Sequence, residues 1–442
     1  QLADCAVTQE NAYFQYLTGM GKSFEYNQAA RHNFNILYAS LGDELKSRVD
    51  LLAETYIDTF KPPIDFFFDP IENNFAVSVS QLESYFRCPH LHYLRYGADI
   101  KERETADLKY VDVGNIVHKS LELYFSRTIG RLRDSTQEGV QFLAATAKSA
   151  VKEAIATGLK RDVEENVGKA NLIYRLECEC LKAITELTNS VLRSVFDPKY
   201  IETSFGFGQV FPAVKIEINE QVFMLRGKID RIDTYNDKTV VIDYKTGSTS
   251  SDLKDVYCGI KIQLFAYLNA IATGGGIPVA AYYIPIRDSY ETEKDASYGV
   301  IGHVLNYPEM YEDFDKQAYD EACRTKEKTS SPNWPFNVRY KKKAGIVEAT
   351  SKTSILSESI FNKFIEYSID VARNGIDEIC DGYSQCSPIS GGRGHACEMC
   401  AYMRICGADG EKNARVKPKL PHCLSNADQD ESDKQPQEVI EG

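Results

Sequence analysis

The sequence predicts an α/β protein, with a mixed sheet that has helices on its faces. Two stretches, 1–60 and 137–196, carry apolar residues at intervals of three and four, which is the spacing of amphipathic helices. From Val210 to Lys245 the apolar interval changes to two, as in strands. Beyond Lys245, helical and strand-like stretches alternate, which is typical of a sheet covered by helices.

The N-terminal part of the chain is predicted to be helical. Residues 1–75 are expected to form a helical arm. The chain begins at Gln1 rather than Met, which suggests that it is a piece of a longer polypeptide. A second helix is predicted to start near Ser78. We expect Ser80 to be its N-cap, with Glu83 three residues later completing a capping box.

Composition limits the classes of protein to consider. The 442 residues are 43% hydrophobic, which is enough for a sizeable core. The net charge of −13 argues against holding nucleic acid by bulk electrostatics alone. The tail at 426–442 is acidic and predicted to be disordered. The most apolar window, Phe265 to Ile286, is interrupted by glycines and a proline, so we expect no membrane span and a cytoplasmic location.

A predicted hairpin carries the candidate chemistry. Asn236 and Asp237 are a turn signal between two strand-like runs, which favours an antiparallel pair. A two-residue turn there would place Asp230 directly opposite Asp243, and Lys245 would share the face of Asp243. Opposed residues have Cβ atoms roughly 4.5–5.5 Å apart, close enough for two carboxylates to bind one divalent cation.

Two carboxylates and a lysine suit the hydrolysis of a phosphodiester. The carboxylates would bind Mg²⁺, which lowers the pKa of an attacking water, and Lys245 would orient that water or neutralise developing charge. The Asp-x-Lys tripeptide alone is common, however, and also fits a surface hairpin with weak ion pairs. Asp233, three residues after Asp230, is expected to face the other way and to be ordinary surface.

Further polar residues lie on predicted helices before and after the hairpin. His118 follows Gly114 by four positions, so both are on one helix face. Gln263 and Tyr267 are also four apart on one face. Each signal is weak by itself, since a lone histidine on a helix is more often structural.

In their order along the chain, these motifs resemble the RecB-type branch of the PD-(D/E)xK nucleases. The signature of that branch is Gly-x-x-x-His, Gly-x-x-Asp, Asp/Glu-x-Lys and Gln-x-x-x-Tyr. It is matched here by Gly114 to His118, Gly227 to Asp230, Asp243 to Lys245, and Gln263 to Tyr267. Glu202 also matches a glutamate-bearing segment of the family.

The resemblance implies a role for each matched residue. The metal ligands would be His118, Asp230, Asp243 and the backbone carbonyl of Tyr244. Lys245 would be catalytic, and Gln263 and Tyr267 would position the substrate. No definite role follows for Glu202.

A group of cysteines near the C-terminus predicts a metal centre. Cys397, Cys400 and Cys406 form a C-x₂-C-x₅-C pattern, and thiolates at such spacing commonly bind one metal. Some members of the RecB-type family that this sequence resembles have one cysteine before the nuclease motifs and three after them, and these four bind a 4Fe–4S cluster. The resemblance therefore implies Cys88 as the fourth ligand. Four thiolates also suit Zn²⁺, and free thiols are a third possibility. Three further cysteines could complicate the assignment: Cys380, Cys386 and Cys423.

The resemblance is to the nuclease region of the second subunit of AddAB-type helicase–nucleases, and it spans roughly 75–410. It implies a restriction-endonuclease-like core in 76–425, with a helical insertion at about 128–200 and an iron–sulfur staple that joins Cys88 to 397–406. Residues 1–75 would then be the remnant of an upstream helicase-like region.

The function implied is that of a metal-dependent DNA exonuclease in double-strand break repair by homologous recombination. Its partner would be an AddA-like helicase subunit in a heterodimer, and the chain has no Walker A motif of its own for ATP-driven unwinding. Two alternatives stay open: a non-catalytic module for DNA binding or assembly, and a stand-alone nuclease similar to the CRISPR-adaptation exonucleases.

Overall fold

The computed structural model describes most of the chain between residues 64 and 424. The described residues are 39, 42–43, 46–47, 64, 67–71, 74–101, 110–159, 167–206, 210–247, 249–286, 298–342, 345–351, 353–390, 396–398, 400–406 and 413–424. Most of the predicted helical arm at 1–75 lies outside them, and so does the whole predicted acidic tail at 426–442; both remain predictions there. The end of the arm is predicted wrongly, because Asp69–Ile71 and Asn74–Ser78 are strands of the central sheet.

A nine-stranded mixed sheet forms the centre of the described structure. Its strands are β1 Asp69–Ile71, β2 Asn74–Ser78, β3 Asp197–Phe205, β4 Val214–Ile218, β5 Gln221–Tyr235, β6 Lys238–Lys245, β7 Ile277–Pro285, β8 Ile301–Leu305 and β11 Ile355–Leu356. The main path runs β1-β2-β5-β6-β7-β8-β11, and β3 and β4 also pair with β5. The contacts β2·β5, β6·β7 and β8·β11 are parallel, and the other pairs are antiparallel. The predicted fold class is therefore confirmed.

Two short two-stranded sheets complete the strands of the described chain. One pairs β9 Val338–Lys341 with β10 Ile346–Ala349 in antiparallel fashion. The other pairs β12 Ile389–Ser390 with β13 Arg415–Val416 in parallel, and it lies beside the cysteine-rich segment.

Helices cover both faces of the sheet. They are α1 Val79–Arg87, α2 Pro89–His92, α3 Tyr110–Thr128, α4 Gln137–Gly158, α5 Val167–Arg193, α6 Leu253–Tyr257, α7 Gln263–Thr273, α8 Met310–Phe314, α9 Lys316–Thr325, α10 Glu358–Cys380 and α11 Met403–Cys406. A π-helical turn, Tyr93–Gly97, follows α2, and a 3₁₀ turn, His422–Leu424, lies near the end.

The core is divided by the sheet into two apolar layers, and β6 shows how. Val240, Ile242 and Tyr244 pack in one layer with buried residues of α3, α4 and α5. Val241, between them, packs in the other layer with residues of α1, α7 and α10. β6 is buried on both faces, as expected for a strand in the middle of the sheet. The packing on both sides fixes the position of its C-terminal end, where Asp243 and Lys245 lie. The stretch predicted as a helical insertion, about 128–200, contains α4 and α5 and reaches the start of β3.

The predicted capping box of α1 is wrong. The N-cap is Ser78, whose Oγ accepts a hydrogen bond from the Gln81 backbone N–H at 3.2 Å. The helix therefore begins two residues earlier than the Ser80 cap requires. Glu83 is then no longer at the third helical position, and its carboxylate is used elsewhere, at the start of α7.

Asp233 was expected to be ordinary surface, and that expectation is also wrong. Its side chain is buried and forms two hydrogen bonds with the Arg231 guanidinium, at 2.8 and 2.9 Å. Arg231 in turn lies 4.6 Å from the ring of Phe125 and donates to the Tyr244 hydroxyl at 2.9 Å. Helices α3 to α5 cover this face of the sheet, so a residue that a solitary hairpin would expose is enclosed in the folded chain.

Candidate active site

The register of the β5–β6 hairpin is the one that a two-residue turn predicts. The paired residues run from Tyr235 and Lys238 to Arg231 and Ile242. Asn236 in the turn has a φ of +51°, in the left-handed region that short hairpin turns require. These pairs confirm the predicted register, and the same register extended by one step from Arg231 and Ile242 brings Asp230 across from Asp243.

Directly beyond the paired residues, the side chain of Asp230 bonds to the backbone of β6. Its Oδ2 accepts the backbone N–H of Tyr244 at 2.7 Å. The same oxygen lies 3.4 Å from Nδ1 of His118, which α3 brings to the end of the hairpin. Three predicted residues from a helix and two strands therefore meet at one carboxylate.

The glycines of the first two motifs allow this close packing. A Cβ on Gly114 would lie 2.9 Å from the hydroxyl of Thr246, directly after β6. A Cβ on Gly227 would lie 2.8 Å from the ring of Tyr267. Any larger residue at either position would push α3 or α7 away from the hairpin. The first glycine thus determines how near His118 approaches, and the second how near Tyr267 does.

Glu202 belongs to the same cluster, which the sequence indicated only weakly. One oxygen of Glu202, one ring nitrogen of His118 and one oxygen of Asp230 all lie within 4.8 Å of one another. Glu202 has a φ of +50°, which is costly for a residue other than glycine and is common where function requires it. Its Oε2 also lies 2.5 Å from Nζ of Lys228. The strained backbone that aims this side chain has no signature in the sequence.

Lys245 is held by a chain of polar contacts. Its Nζ lies 2.5 Å from Oδ2 of Asp243 and donates to Oε1 of Gln263 at 3.1 Å. Gln263 Nε2 donates to the Tyr267 hydroxyl at 2.8 Å, and that hydroxyl donates to the Lys228 carbonyl at 2.9 Å. The two residues predicted four apart on α7 thus fix one ammonium group beside the buried carboxylate.

Glu83 is a residue of this site that sequence reasoning missed. Its Oε1 accepts the backbone N–H of Gln263 at 2.9 Å, across 180 positions of sequence. The N-cap residue of α7, Ile262, makes no side-chain cap, so Glu83 supplies the cap from α1. Burial raises the pKa of Glu83 to about 7, although Lys245 and Lys261 act against that shift. No local sequence signal could reveal this contact.

The electrostatics of the site favour a bound cation. Burial raises the pKa of Asp243 from 3.8 to about 6, even with Lys245 beside it. Burial also raises the pKa of Glu202, with a further contribution from the charge of Asp230. For His118, burial lowers the pKa, but hydrogen bonding to Asp230 and its charge outweigh burial and raise it. Acidic groups held this closely repel one another until a positive charge is placed among them.

The donor set fits a hard divalent cation. Oδ2 of Asp243 is buried and lies 2.5 Å from the Lys245 ammonium. Among the described residues, the donors that converge within 4.8 Å belong to His118, Glu202 and Asp230, and this group does not include the predicted ligand Asp243. Its two carboxylate oxygens and one imidazole nitrogen suit Mg²⁺ or Mn²⁺ better than soft metals.

The predicted cysteines are brought together at the end of α1, with one addition. Cys88 follows α1 and lines a single pocket with the three cysteines of the C-terminal pattern: Cys397, Cys400 and Cys406. Cys386 lines the same pocket, and its sulfur lies 3.5 Å from the Cys406 sulfur. Four or five thiols around one space suit either an iron–sulfur cluster or Zn²⁺. Cys380 and Cys423 do not line it.

Within the described ranges, no helix is both long and apolar enough to pass through a lipid bilayer.

Comparisons with known proteins find relatives along most of this chain. The relatives include a subunit of the ATP-dependent helicase/deoxyribonuclease of Clostridium botulinum (strain Loch Maree / Type A3), 25% identical over 361 residues. The corresponding proteins from Alkaliphilus metalliredigens (strain QYMF) and Listeria innocua serovar 6a are 26% and 27% identical over 372 and 357 residues. Each match covers 76% of this chain and 30% of the relative, so the chain spans under a third of their length.

The family model of the PD-(D/E)XK nuclease superfamily matches residues 76–407, which is about three quarters of the chain. The matched span contains all four motifs around the hairpin, together with the five cysteines of the pocket. A match of this extent, on a mixed sheet whose central hairpin presents the acidic and lysine residues of the signature, shows that the chain belongs to the PD-(D/E)XK nuclease superfamily.

Proposed function

We propose that this chain is the nuclease portion of a helicase–nuclease and that it hydrolyses DNA phosphodiester bonds as a Mg²⁺-dependent exonuclease. The observation that supports the proposal is the hairpin register, which, extended by one step from the paired Arg231 and Ile242, brings Asp230 across from Asp243, with Lys245 beside Asp243. In the alternative, a surface hairpin with weak ion pairs, Asp243 would be exposed to solvent, whereas the residue here is only 2% exposed.

Each residue has a role in this proposal. His118, Asp230, Asp243 and the Tyr244 carbonyl would hold the cation, and Glu202 would act as a further ligand or bind a ligand water. Bound Mg²⁺ would polarise the phosphate and lower the pKa of an attacking water. The Lys245 ammonium would neutralise charge that builds on the phosphate oxygens. Gln263 and Tyr267 would keep that ammonium in place and contact the substrate.

The cysteine pocket would hold a 4Fe–4S cluster with Cys88, Cys397, Cys400 and Cys406 as ligands. Zn²⁺ is the competing occupant, because four thiolates suit both. In either case the centre would tie the end of α1 to the C-terminal segment, across about 300 residues. We assign it a structural role, since the pocket is lined by side chains other than those of the hairpin.

The partner and pathway are proposed from the relatives. Their name describes a component of an ATP-dependent helicase/deoxyribonuclease, so we propose that this chain acts in a heterodimer with an AddA-like helicase subunit. The substrate would be single-stranded DNA or duplex ends, processed during double-strand break repair by homologous recombination in the cytoplasm. A net charge of −13 is consistent with a partner that helps to hold the DNA.

A cleavage assay tests the proposed activity. End-labelled single-stranded and double-stranded DNA would be incubated with the chain, alone and with its helicase partner, in Mg²⁺, Mn²⁺ or EDTA. We expect label to be released from ends with either metal and not with EDTA. Absence of metal-dependent release from both substrates, even in the assembled complex, would contradict the proposal.

Replacing Glu83 should slow cleavage without weakening DNA binding. Glu83→Ala removes the carboxyl that accepts the Gln263 backbone N–H and caps α7, and the loss of such a hydrogen bond costs about 1.5 kcal/mol, so we expect kcat to fall about tenfold with KM little changed. Glu83→Gln keeps an acceptor oxygen and should recover most of the rate. Steady-state kinetics on labelled DNA would measure both.

The matched control for Glu83 is Tyr85→Phe on the same helix. Its hydroxyl donates to Glu378 at 2.7 Å, away from α7. We expect this change to lower thermal stability slightly and to leave kcat unaltered. A Glu83→Ala variant that cleaves like the parent would remove Glu83 from the site.

Metal binding should strengthen as the pH rises. Cation ligands must be deprotonated, and the pKa of Asp243 is raised to about 6 while that of His118 is raised above its ordinary value. Asp243 loses its proton between about pH 5 and pH 8, and His118 loses its proton as the pH rises past its raised pKa, so a tenfold or greater gain in affinity is expected. Because a tenfold gain in affinity corresponds to about 1.4 kcal/mol, saturating Mn²⁺ should raise the free energy of unfolding by about that much more at the higher pH.

Without metal, the free energy of unfolding should fall as the pH rises. A raised folded-state pKa contributes stability that is present at acid pH and is lost as the pH passes the folded value, about 6 for Asp243. Unfolding curves at about pH 5 and pH 8, with Mn²⁺ and with EDTA, would separate the two trends. An equal shift by Mn²⁺ at both pH values would show that these residues are not its ligands.

A further inference from the structure

Cys386 is a fifth thiol in a pocket whose proposed centre needs four. It lies between the end of α10 and β12, is half-buried, and has its sulfur 3.5 Å from that of Cys406. It is also within hydrogen-bonding reach of Cys88. The C-x₂-C-x₅-C pattern does not include Cys386, so the proposed metal centre leaves it without a role.

The segments that carry Cys386 and Cys406 are joined by contacts that need no metal. Strands β12 and β13 pair three residues after Cys386 and nine residues after Cys406. Arg415 donates from its backbone N–H to the Pro388 carbonyl and from Nε to the Ser387 carbonyl, each at 2.8 Å. Its guanidinium also donates to the Phe86 carbonyl of α1 at 2.6 Å. These contacts hold the segment that follows Cys386 against Arg415 and α1, and the sulfurs of Cys386 and Cys406 are neighbours in the same pocket.

We propose that Cys386 and Cys406 are a reserve thiol pair, which closes to a disulfide when the metal centre is lost. A disulfide needs its sulfurs about 2.05 Å apart, so they must approach by about 1.5 Å, within the reach of side-chain rotation in a half-buried segment. The bond would hold the C-terminal side of the pocket together. It would also protect both thiols from irreversible oxidation until the disulfide is reduced and the metal centre can be rebuilt.

The oxidant is a low-molecular-weight disulfide of the glutathione class. A thiolate of the pair attacks one sulfur of the oxidant, whose S–S bond breaks and releases one thiolate, leaving a mixed disulfide. The second cysteine thiolate attacks the cysteine sulfur of that mixed disulfide and releases the second small thiolate. The protons of the two cysteines pass to the two released thiolates, and the pair loses two electrons to the oxidant.

Access favours this pair over the alternative between Cys88 and Cys386. Cys88 is only 6% exposed and packs with Leu91, Leu94 and Tyr402 in an apolar cluster. Cys386 and Cys406 are both half-buried, so a small disulfide can reach them. The proposal rests on the proposed metal centre and not on DNA cleavage, so it stands or fails independently of the nuclease activity.

Peptide mapping tests the pair in the full chain. The metal would be removed without oxygen by a chelator and a reductant, the reductant would be removed, and the protein would then be exposed to oxidised glutathione, alkylated and digested without reduction. We expect mass spectrometry to find a peptide that links Cys386 to Cys406 as the main disulfide. A main link between Cys88 and Cys386, or full alkylation of both members of the pair, would overturn the proposal.

Variants give a second readout. Cys386→Ser should retain the parent's iron or zinc content as purified, but after oxidation and reduction it should regain about half as much metal as the parent or less. Cys380→Ser, which removes a thiol outside the pocket, should behave like the parent in both respects. If Cys386→Ser already lacks metal as purified, Cys386 is a ligand and not a reserve thiol, and if it reloads fully the pair has no protective role.

Discussion

Replacing Asp243 with asparagine should abolish Mg²⁺-dependent cleavage, with a loss of about 10³-fold or more in kcat. The Asp243 carboxylate is buried beside the Lys245 ammonium, and an amide cannot supply its charge to a cation. DNA binding should largely persist, because substrate contacts elsewhere are unchanged. Single-turnover cleavage and a binding titration in Ca²⁺ or EDTA would measure the two effects separately.

Unfolding cannot explain that loss, because the substitution should not destabilise the metal-free protein. Burial raises the pKa of Asp243 to about 6, so the fold disfavours its charged form. A neutral amide of the same shape avoids that cost. The control is Asp237→Asn in the exposed turn of the same hairpin, which should cleave at the parental rate. Equal cleavage by Asp243→Asn and Asp237→Asn would eliminate this active site.

Lys245→Ala should also remove most of the activity, and for a different reason. The ammonium is positioned by Gln263 and lies beside Asp243, but it would not bind the cation. We therefore expect the variant to retain the Mn²⁺-dependent gain in stability that Asp243→Asn loses. The exposed Lys254→Ala is the matched control for removal of a lysine.

The hairpin site could be predicted because its geometry is set locally. A turn of two residues fixes the pairing of every residue in β5 and β6, and the period of two fixes which side chains share a face. The motifs on α3 and α7 could be placed on one helix face in the same way. Their convergence on the hairpin came from the resemblance to a family and not from spacing.

The features that sequence reasoning missed depend on contacts between distant residues. Glu83 caps α7 from 180 positions away, and its place near Ser80 instead suggested a local capping box. Asp233 is buried because helices from another part of the chain cover it. Cys386 joins the pocket through the pairing of β12 with β13. Neither periodicity nor local spacing carries such information, so these positions could be identified only in the folded chain.

Replacing Cys88 with alanine should destabilise the nuclease domain by about 5 kcal/mol. A metal centre that joins Cys88 to Cys397 closes a loop of about 300 residues, and the loop-entropy model for cross-links gives a stabilisation of that order. The parent purified without oxygen should be brown, with iron–sulfur absorbance that the variant lacks. A colourless parent with stoichiometric zinc would assign the pocket to zinc. Chemical denaturation of parent and variant would measure the loss of stability.

The control for Cys88 is Cys180→Ala, a buried cysteine in the core layer under α3, α4 and α5 and away from the pocket, which should cost about 1 kcal/mol. The two variants should also differ in cleavage. Cys88 directly follows α1, and α1 carries the Glu83 that caps α7 and so holds Gln263 against Lys245. Loss of the centre should therefore lower kcat even under conditions where the variant remains folded. If Cys88→Ala matches Cys180→Ala in both stability and rate, the pocket does not brace the active site.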